Sequence, residues 1–198
     1  MIKNIIFDIS GVLADFNITE FFSRKGFDAV MIKRILKASA MSPYWGQFER
    51  AEISSDEAMA GFISMDPEIE DELRRAYESV EGMLTPADYA VPLVKELKQS
   101  GYQVYYLSNY SKRACDECSE SLGFVRYTDG GLLSCEVGLT KPDPRMFRLL
   151  LDTYHLNAAE CVFVDDTPEN VEAAIQLGMQ GIVFTSCEDL KTKLAQQR

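Results

Sequence analysis

KNIIFDISGVLADF, residues 3–16, is an apolar run stopped by an acid. Ile5, Ile6 and Phe7 are consecutive and apolar, so this short segment reads as a strand buried on both faces. Asp8 ends it, and Ser10 and Gly11 follow before a brief apolar return. A strand buried on both faces belongs to a parallel sheet covered by helices. Such sheets bind ligands beyond the carboxyl ends of their strands. Asp8 is therefore a candidate functional carboxylate, although a turn-forming acid has the same sequence signature.

The rest of the chain fits that sheet. Residues 16–85 have few strand-like runs. ITEFFSRKGFDAVMIKRILKAS, SSDEAMAGFISM and EIEDELRRAYESV carry apolar positions at helical spacing, and Ser54 or Ser55 followed by acids marks a helix start. From Thr85 onward, helices and strands alternate. DYAVPLVKELKQSG reads as a helix stopped by Gly101, YQVYYLSN as a strand ending in Ser108-Asn109, and SKRACDECSESLG as a helix closed by Gly123. GGLLSCEVG reads as a short strand or hairpin. DPRMFRLLLDTYHL is a helix with Pro144 in its first turn. ECVFVDD is a buried strand ending in Asp165-Asp166, TPENVEAAIQLG a helix, QGIVFT a strand and CEDLKTKLAQQ a final helix. Three strands thus end in polar clusters that one sheet rim can bring together: Asp8, Ser108-Asn109 and Asp165-Asp166.

Composition narrows the function. Of 198 residues, 46% are hydrophobic and 26% charged, the balance of a soluble globular domain. The formal net charge of −11 argues against nucleic-acid binding, which needs a basic patch. It does not exclude a small anion whose charge is offset locally by a metal ion and a lysine. No run approaches the roughly 20 apolar residues of a membrane span, and the first residues lack a signal peptide's features, so the expected location is cytoplasmic. Five scattered cysteines suggest reduced thiols rather than a disulfide framework. Cys115 and Cys118 have CxxC spacing but no second pair to complete a zinc site, and ordinary helix thiols are the simpler reading. The single histidine, His155, closes a helix far from the polar motifs and reads as a surface or capping residue.

FDISGVL (7–13), YLSN (106–109), GLTKPDP (138–144) and FVDDTPEN (163–170) together resemble the haloacid dehalogenase-like hydrolase superfamily, most of which are phosphatases. Within it, YWGQFERAEIS and GLTKPDPRMF are similar to bacterial sugar-phosphate phosphatases of the α-glucose-1-phosphate type. The resemblance implies a Rossmann-like α/β core, residues 1–15 and 86–198, with a mobile helical cap, residues 16–85, inserted after the first strand. It also implies a Mg²⁺-dependent phosphatase acting on a small phosphorylated metabolite through an aspartyl phosphate. Asp8 would be the nucleophile and a metal ligand. Ser108 and Asn109 would bind the phosphoryl group, and Lys141 would hold it against Asp8. Asp166 would bind Mg²⁺ directly, Asp165 directly or through water, and Asn170 would support the metal's water shell. These residue types suit the chemistry: carboxylate oxygens for a hard divalent ion, and an ammonium and hydrogen-bond donors for phosphoryl oxygens.

Position 10 departs from the pattern. The resemblance implies a second aspartate there, which protonates the leaving oxygen and then activates water, a contribution of roughly 10²–10⁴-fold. Ser10 keeps the backbone carbonyl that this family offers to Mg²⁺, but its hydroxyl is a poor acid or base near neutral pH. Asp15 lies at the entry to the cap and is not assigned the missing role. Slow turnover, or a preference for good leaving groups, is expected. The alternative is a non-catalytic protein that binds a phosphorylated ligand or another protein. A 2-haloacid dehalogenase is disfavoured by the retained Asp165-Asp166 pair. The cap aromatics Tyr44, Trp45 and Phe48 either line the substrate pocket or form the cap's own core, and the core is the expected role.

Overall fold

The computed structural model describes residues 1–196. The strands are β1 Asn4–Phe7, β2 Ala14–Phe16, β3 Leu84–Pro86, β4 Gln103–Ser108, β5 Gly130–Leu133, β6 Cys161–Asp165 and β7 Gln180–Val183. Five of them form a parallel sheet in the order β5-β4-β1-β6-β7, with β1 at its centre. This is the expected Rossmann-like sheet. Alternate residues go to opposite faces. Ile5, Phe7, Val104, Val162 and Val164 join one apolar cluster, while Ile6, Tyr105, Leu107 and Phe163 join the other. Both faces are covered, which is why β1 and β6 read as unbroken apolar runs.

The helices are α1 Ile18–Arg24, α2 Ala29–Ala38, α3 Pro43–Glu49, α4 Ser55–Met65, α5 Glu70–Ala76, α6 Ala90–Gln99, α7 Lys112–Glu117, α8 Ser134–Val137, α9 Pro144–Thr153, α10 Pro168–Gln176 and α11 Cys187–Gln196. Helices α1 to α5 form an insert. The chain leaves through β2 and returns through β3, which pair antiparallel with Ala14 opposite Pro86. The insert's Phe22, Ile35, Phe62, Leu73 and Tyr77 belong to the same apolar cluster as one face of the sheet. Glu117 of α7 accepts from the Val80 N–H at 2.7 Å and the Ser79 hydroxyl at 3.0 Å, tying the insert's exit to the core. Among the described residues no helix is long and apolar enough to cross a membrane.

Local chemistry explains where the elements differ from the sequence reading. The helical run 18–38 is divided into two helices. Gly26 at φ 86° breaks it, and the Asp28 side chain caps the second helix at the Met31 N–H. The segment 134–137 is a helical turn after β5, not the return strand of a hairpin. The helix from Ser111 stops at Glu117, so Cys118 falls beyond it and its thiol donates to the Val80 carbonyl. Cys115 instead lies 3.8 Å, sulfur to sulfur, from Cys135. The CxxC spacing therefore brings no pair together. His155 is exposed just after α9 in the left-handed conformation, φ 53°.

Candidate active site

The sheet register assembles the site. Phe7 lies opposite Tyr106 on one side and Val164 on the other. Asp8 is therefore level with Asp165 and one residue short of Ser108 across the rim. This is where the order reverses between β1 and β6, the switch point at which open parallel sheets leave a crevice.

Asp8 is buried at 7% exposure. Three donors converge on its Oδ1: the Ile9 N–H at 2.7 Å, the Ser108 hydroxyl at 2.7 Å and the Lys141 ammonium at 2.8 Å. No donor is found on Oδ2 among the described residues. Burial pushes the Asp8 carboxyl up to about 6; Lys141 pulls it down, and the nearby Asp165 adds to the rise.

Lys141 is equally buried, and its ammonium is shared between Asp8 and the Asp165 Oδ2 at 2.6 Å. It sits on the loop before α9, which starts at Pro144 with Asp143 as its cap. Asn109 holds that loop. Its side-chain amide donates to the Lys141 carbonyl at 3.0 Å, and its side-chain oxygen accepts from the Lys141 N–H at 2.8 Å. Both ends of the Asn109 side chain are thus engaged by the Lys141 backbone.

The two aspartates after β6 have different surroundings. Asp165 is fully buried and accepts from Lys141, from the Thr167 N–H at 2.8 Å and from the Asn170 amide at 3.1 and 3.2 Å. Asp166 is exposed on the crevice side, and burial of its carboxyl together with Asp165 holds it above the ordinary carboxylate value. It packs directly on Gly11, whose φ is 76°. A Cβ there would lie 2.2 Å from the Asp166 Oδ2. Gly11 belongs to a tight turn in which the N–H groups of Val12, Leu13 and Ala14 all reach the Ile9 carbonyl. Ser10 sits in this turn at the crevice wall.

Asp8, Asp165 and Asp166 each offer a carboxylate oxygen, and these lie within 4.8 Å of one another. Three negative charges against one from Lys141 leave a deficit of two, which suits a divalent cation with oxygen ligands. Asn170 donates to Asp165 and also lines the cavity above it.

A cavity of about 350 Å³ opens over the cluster. Asp8, Ser10, Lys141 and Asp166 line its polar end, while Phe16, Ile18, Trp45 and Leu84 form an apolar wall. Trp45 is both core and pocket. It stacks on Phe62 at 6.2 Å between ring centroids and also faces the cavity. Tyr44 packs over Gly61 and Phe48 packs edge-on against Trp45, so these two serve the insert's interior. The cavity also holds a carboxyl that the sequence motifs do not mark, Glu49 at the end of α3. Burial raises its carboxyl to about 7, against the Trp45 indole and the charge of Lys141, which lower it. Trp45 and Glu49 are four residues apart on α3, which puts them on one helical face.

The family model for haloacid dehalogenase-like hydrolases matches residues 2–178. A sesquiterpene phosphatase of Aspergillus oryzae is 30% identical over 193 residues, covering 96% of this chain and 95% of that protein. A D-ribitol-5-phosphate phosphatase of Bacteroides thetaiotaomicron is 28% identical, covering 91% and 90%. A solved structure of a wild-type enzyme of this family from Bacteroides thetaiotaomicron, in complex with magnesium and inorganic phosphate, superposes with a TM-score of 0.68. It is 24% identical and covers 96% of this chain and 97% of that one.

Proposed function

The chain belongs to the haloacid dehalogenase-like hydrolases, and from that premise we propose that it is a phosphatase that forms an aspartyl phosphate on Asp8. The observation that carries this reading is the asymmetric environment of Asp8. With Oδ1 held by Ile9, Ser108 and Lys141, the carboxylate cannot rotate, and Oδ2 is left to attack phosphorus. Attack by a fixed carboxylate splits one displacement into two easier ones.

The neighbouring residues take roles that follow from their contacts. Lys141 neutralises Asp8 and stays beside the phosphoryl group as charge moves onto it. The Ser108 hydroxyl orients Asp8 and turns to a phosphoryl oxygen when substrate arrives. Asn109 fixes the Lys141 backbone, so its contribution to phosphate binding is to place that ammonium. Asp8, Asp166 and the Ser10 carbonyl would hold Mg²⁺, with Asp165, whose oxygens already accept four hydrogen bonds, acting through water. The ion supplies charge neutralisation and orients the phosphoryl group. The insert α1–α5 acts as a cap that closes the cavity against water.

The substrate is a small phosphomonoester. Its phosphoryl group occupies the polar end of the cavity, and its alcohol portion lies along Phe16, Ile18, Trp45 and Leu84. The test is phosphate release across a panel of polyol, sugar and apolar-alcohol phosphates, with and without Mg²⁺, for the parent and for Asp8→Asn. Turnover that needs Mg²⁺ and disappears in the variant supports the reading; equal rates for the two proteins refute it.

A further inference from the structure

Ser10 leaves a gap in this scheme. Breaking the ester bond of an alkyl phosphate releases an alkoxide, a very poor leaving group unless it is protonated as it departs. In an in-line displacement the nucleophile and the leaving oxygen lie on opposite sides of phosphorus. With Asp8 on the sheet rim, the leaving oxygen points across the cavity toward the insert. Three carboxyl-bearing residues line the cavity among the described residues: Asp8, Asp166 and Glu49. The first two lie in the cluster that suits a divalent cation. Glu49 lines the same cavity from the insert, at the end of α3.

Glu49 is held in place. Its backbone carbonyl accepts from the Ser134 hydroxyl at 2.7 Å, and the Tyr110 N–H donates to that same hydroxyl at 2.9 Å. Tyr110 follows the Ser108-Asn109 pair, so a single hydroxyl ties Glu49 to the strand end that orients Asp8. One helical turn earlier, Trp45 is fixed by its stacking on Phe62 and its edge contact with Phe48. The groups whose charge acts on Glu49 are Lys141 and Asp8 from the core and Arg50 from the insert.

We propose that Glu49 is the general acid and base of this enzyme, doing from the insert what Ser10 cannot do from the core. The inference rests on the phosphatase reading above. In the first half-reaction the Asp8 Oδ2–P bond forms and the P–O ester bond breaks. The carboxyl proton of Glu49 passes to the leaving oxygen, giving the alcohol and a Glu49 carboxylate. In the second, water attacks phosphorus, its proton passes to Glu49, and the P–Oδ2 bond breaks, restoring both side chains. A carboxyl raised to about 7 is populated in both forms near neutral pH, as an acid that must later act as a base requires.

The experiment compares two esters, an alkyl phosphate and p-nitrophenyl phosphate, whose leaving group needs no proton. The proteins are the full-length parent, Glu49→Gln, Glu49→Asp and Asp8→Asn, each with Mg²⁺. For Glu49→Gln, kcat/KM on the alkyl ester should fall roughly 10²–10³-fold, and on the aryl ester less than tenfold. Aryl turnover should also show a burst of nitrophenolate, because breakdown of the phosphoenzyme has lost its base. Glu49→Asp should recover part of the alkyl rate. Equal losses on both esters, or no loss on either, would overturn the role of Glu49. If the parent hydrolyses neither ester, or Asp8→Asn retains activity, the phosphatase reading itself falls.

Discussion

Lys141→Met removes a buried ammonium while keeping most of its volume. In the parent that charge lies 2.8 Å from Asp8 and 2.6 Å from Asp165, and the lysine side chain is 1% exposed. Taking away one partner of a buried ion pair costs about 3–5 kcal/mol, because the remaining charge is left uncompensated. Here two carboxylates are stranded together. At roughly 2–4 °C per kcal/mol for a protein of this size, the midpoint of thermal unfolding should drop by roughly 6–20 °C at pH 7.5 in EDTA. The deficit should depend on pH. Lys141 holds Asp8 down, so its loss raises that carboxyl above its parent value of about 6. A carboxyl raised on folding contributes stability that is fully present below its unfolded value, 3.8, and lost as pH rises through its folded value. The variant should therefore close much of the gap at pH 5. Added Mg²⁺ should also recover part of it at pH 7.5, by returning positive charge to the cluster. Thermal unfolding followed by circular dichroism, with and without metal at both pH values, measures all three effects. A midpoint within about 2 °C of the parent at pH 7.5, or a deficit that ignores pH, would refute the account of Lys141 as the counter-charge of the site.

Three further outcomes are expected. Gly11→Ala adds a Cβ 2.2 Å from the Asp166 Oδ2 at a backbone φ of 76°, so Asp166 must move by about 1 Å; a displacement of that size predicts roughly 10²-fold slower turnover and a weaker Mg²⁺ titration. With Asp8 a Mg²⁺ ligand as proposed, the ion would compete there with a proton, so the metal-induced rise in unfolding midpoint of the parent should be larger at pH 7.5 than at pH 5.5; equal rises would place the metal away from Asp8. Ser10→Asp should restore at least tenfold in alkyl-ester turnover to Glu49→Gln while changing the parent far less, the non-additivity of two groups with one task, measured as kcat/KM across the double-variant cycle.

The parts of this molecule legible in its sequence are those set by burial. Ile5-Ile6-Phe7 and Val162-Phe163-Val164 are apolar at every position because both faces of the sheet are covered, and the polar residue that ends each run marks the rim. Shorter elements leave weaker traces. Strands β2 and β3 have three residues each, and Phe16 and Thr85 are solvent-facing, so neither alternates long enough to be seen. Helix α3 carries Gly46 at its centre and aromatic residues along its length, a poor local advertisement for a helix; its Pro43 start and tertiary stacking make it one. Asn109 was legible as a site residue but not as a clamp on Lys141, since that role depends on a backbone 32 residues away. Glu49 leaves no such trace because a lone glutamate is ordinarily solvated; only the tertiary fold brings it to the cavity that Asp8 also lines.

On the proposed route, Ile9 and Lys141 keep one oxygen of Asp8 engaged while the other meets phosphorus in line. With an aspartyl phosphate as proposed, each of the two displacements inverts the phosphorus centre, and the second undoes the first. An ester made chiral with sulfur and oxygen isotopes should give product of unchanged handedness. Direct attack by water on the ester would give the mirror image. The use of Asp8 as a covalent carrier is thus readable in the stereochemistry of the product.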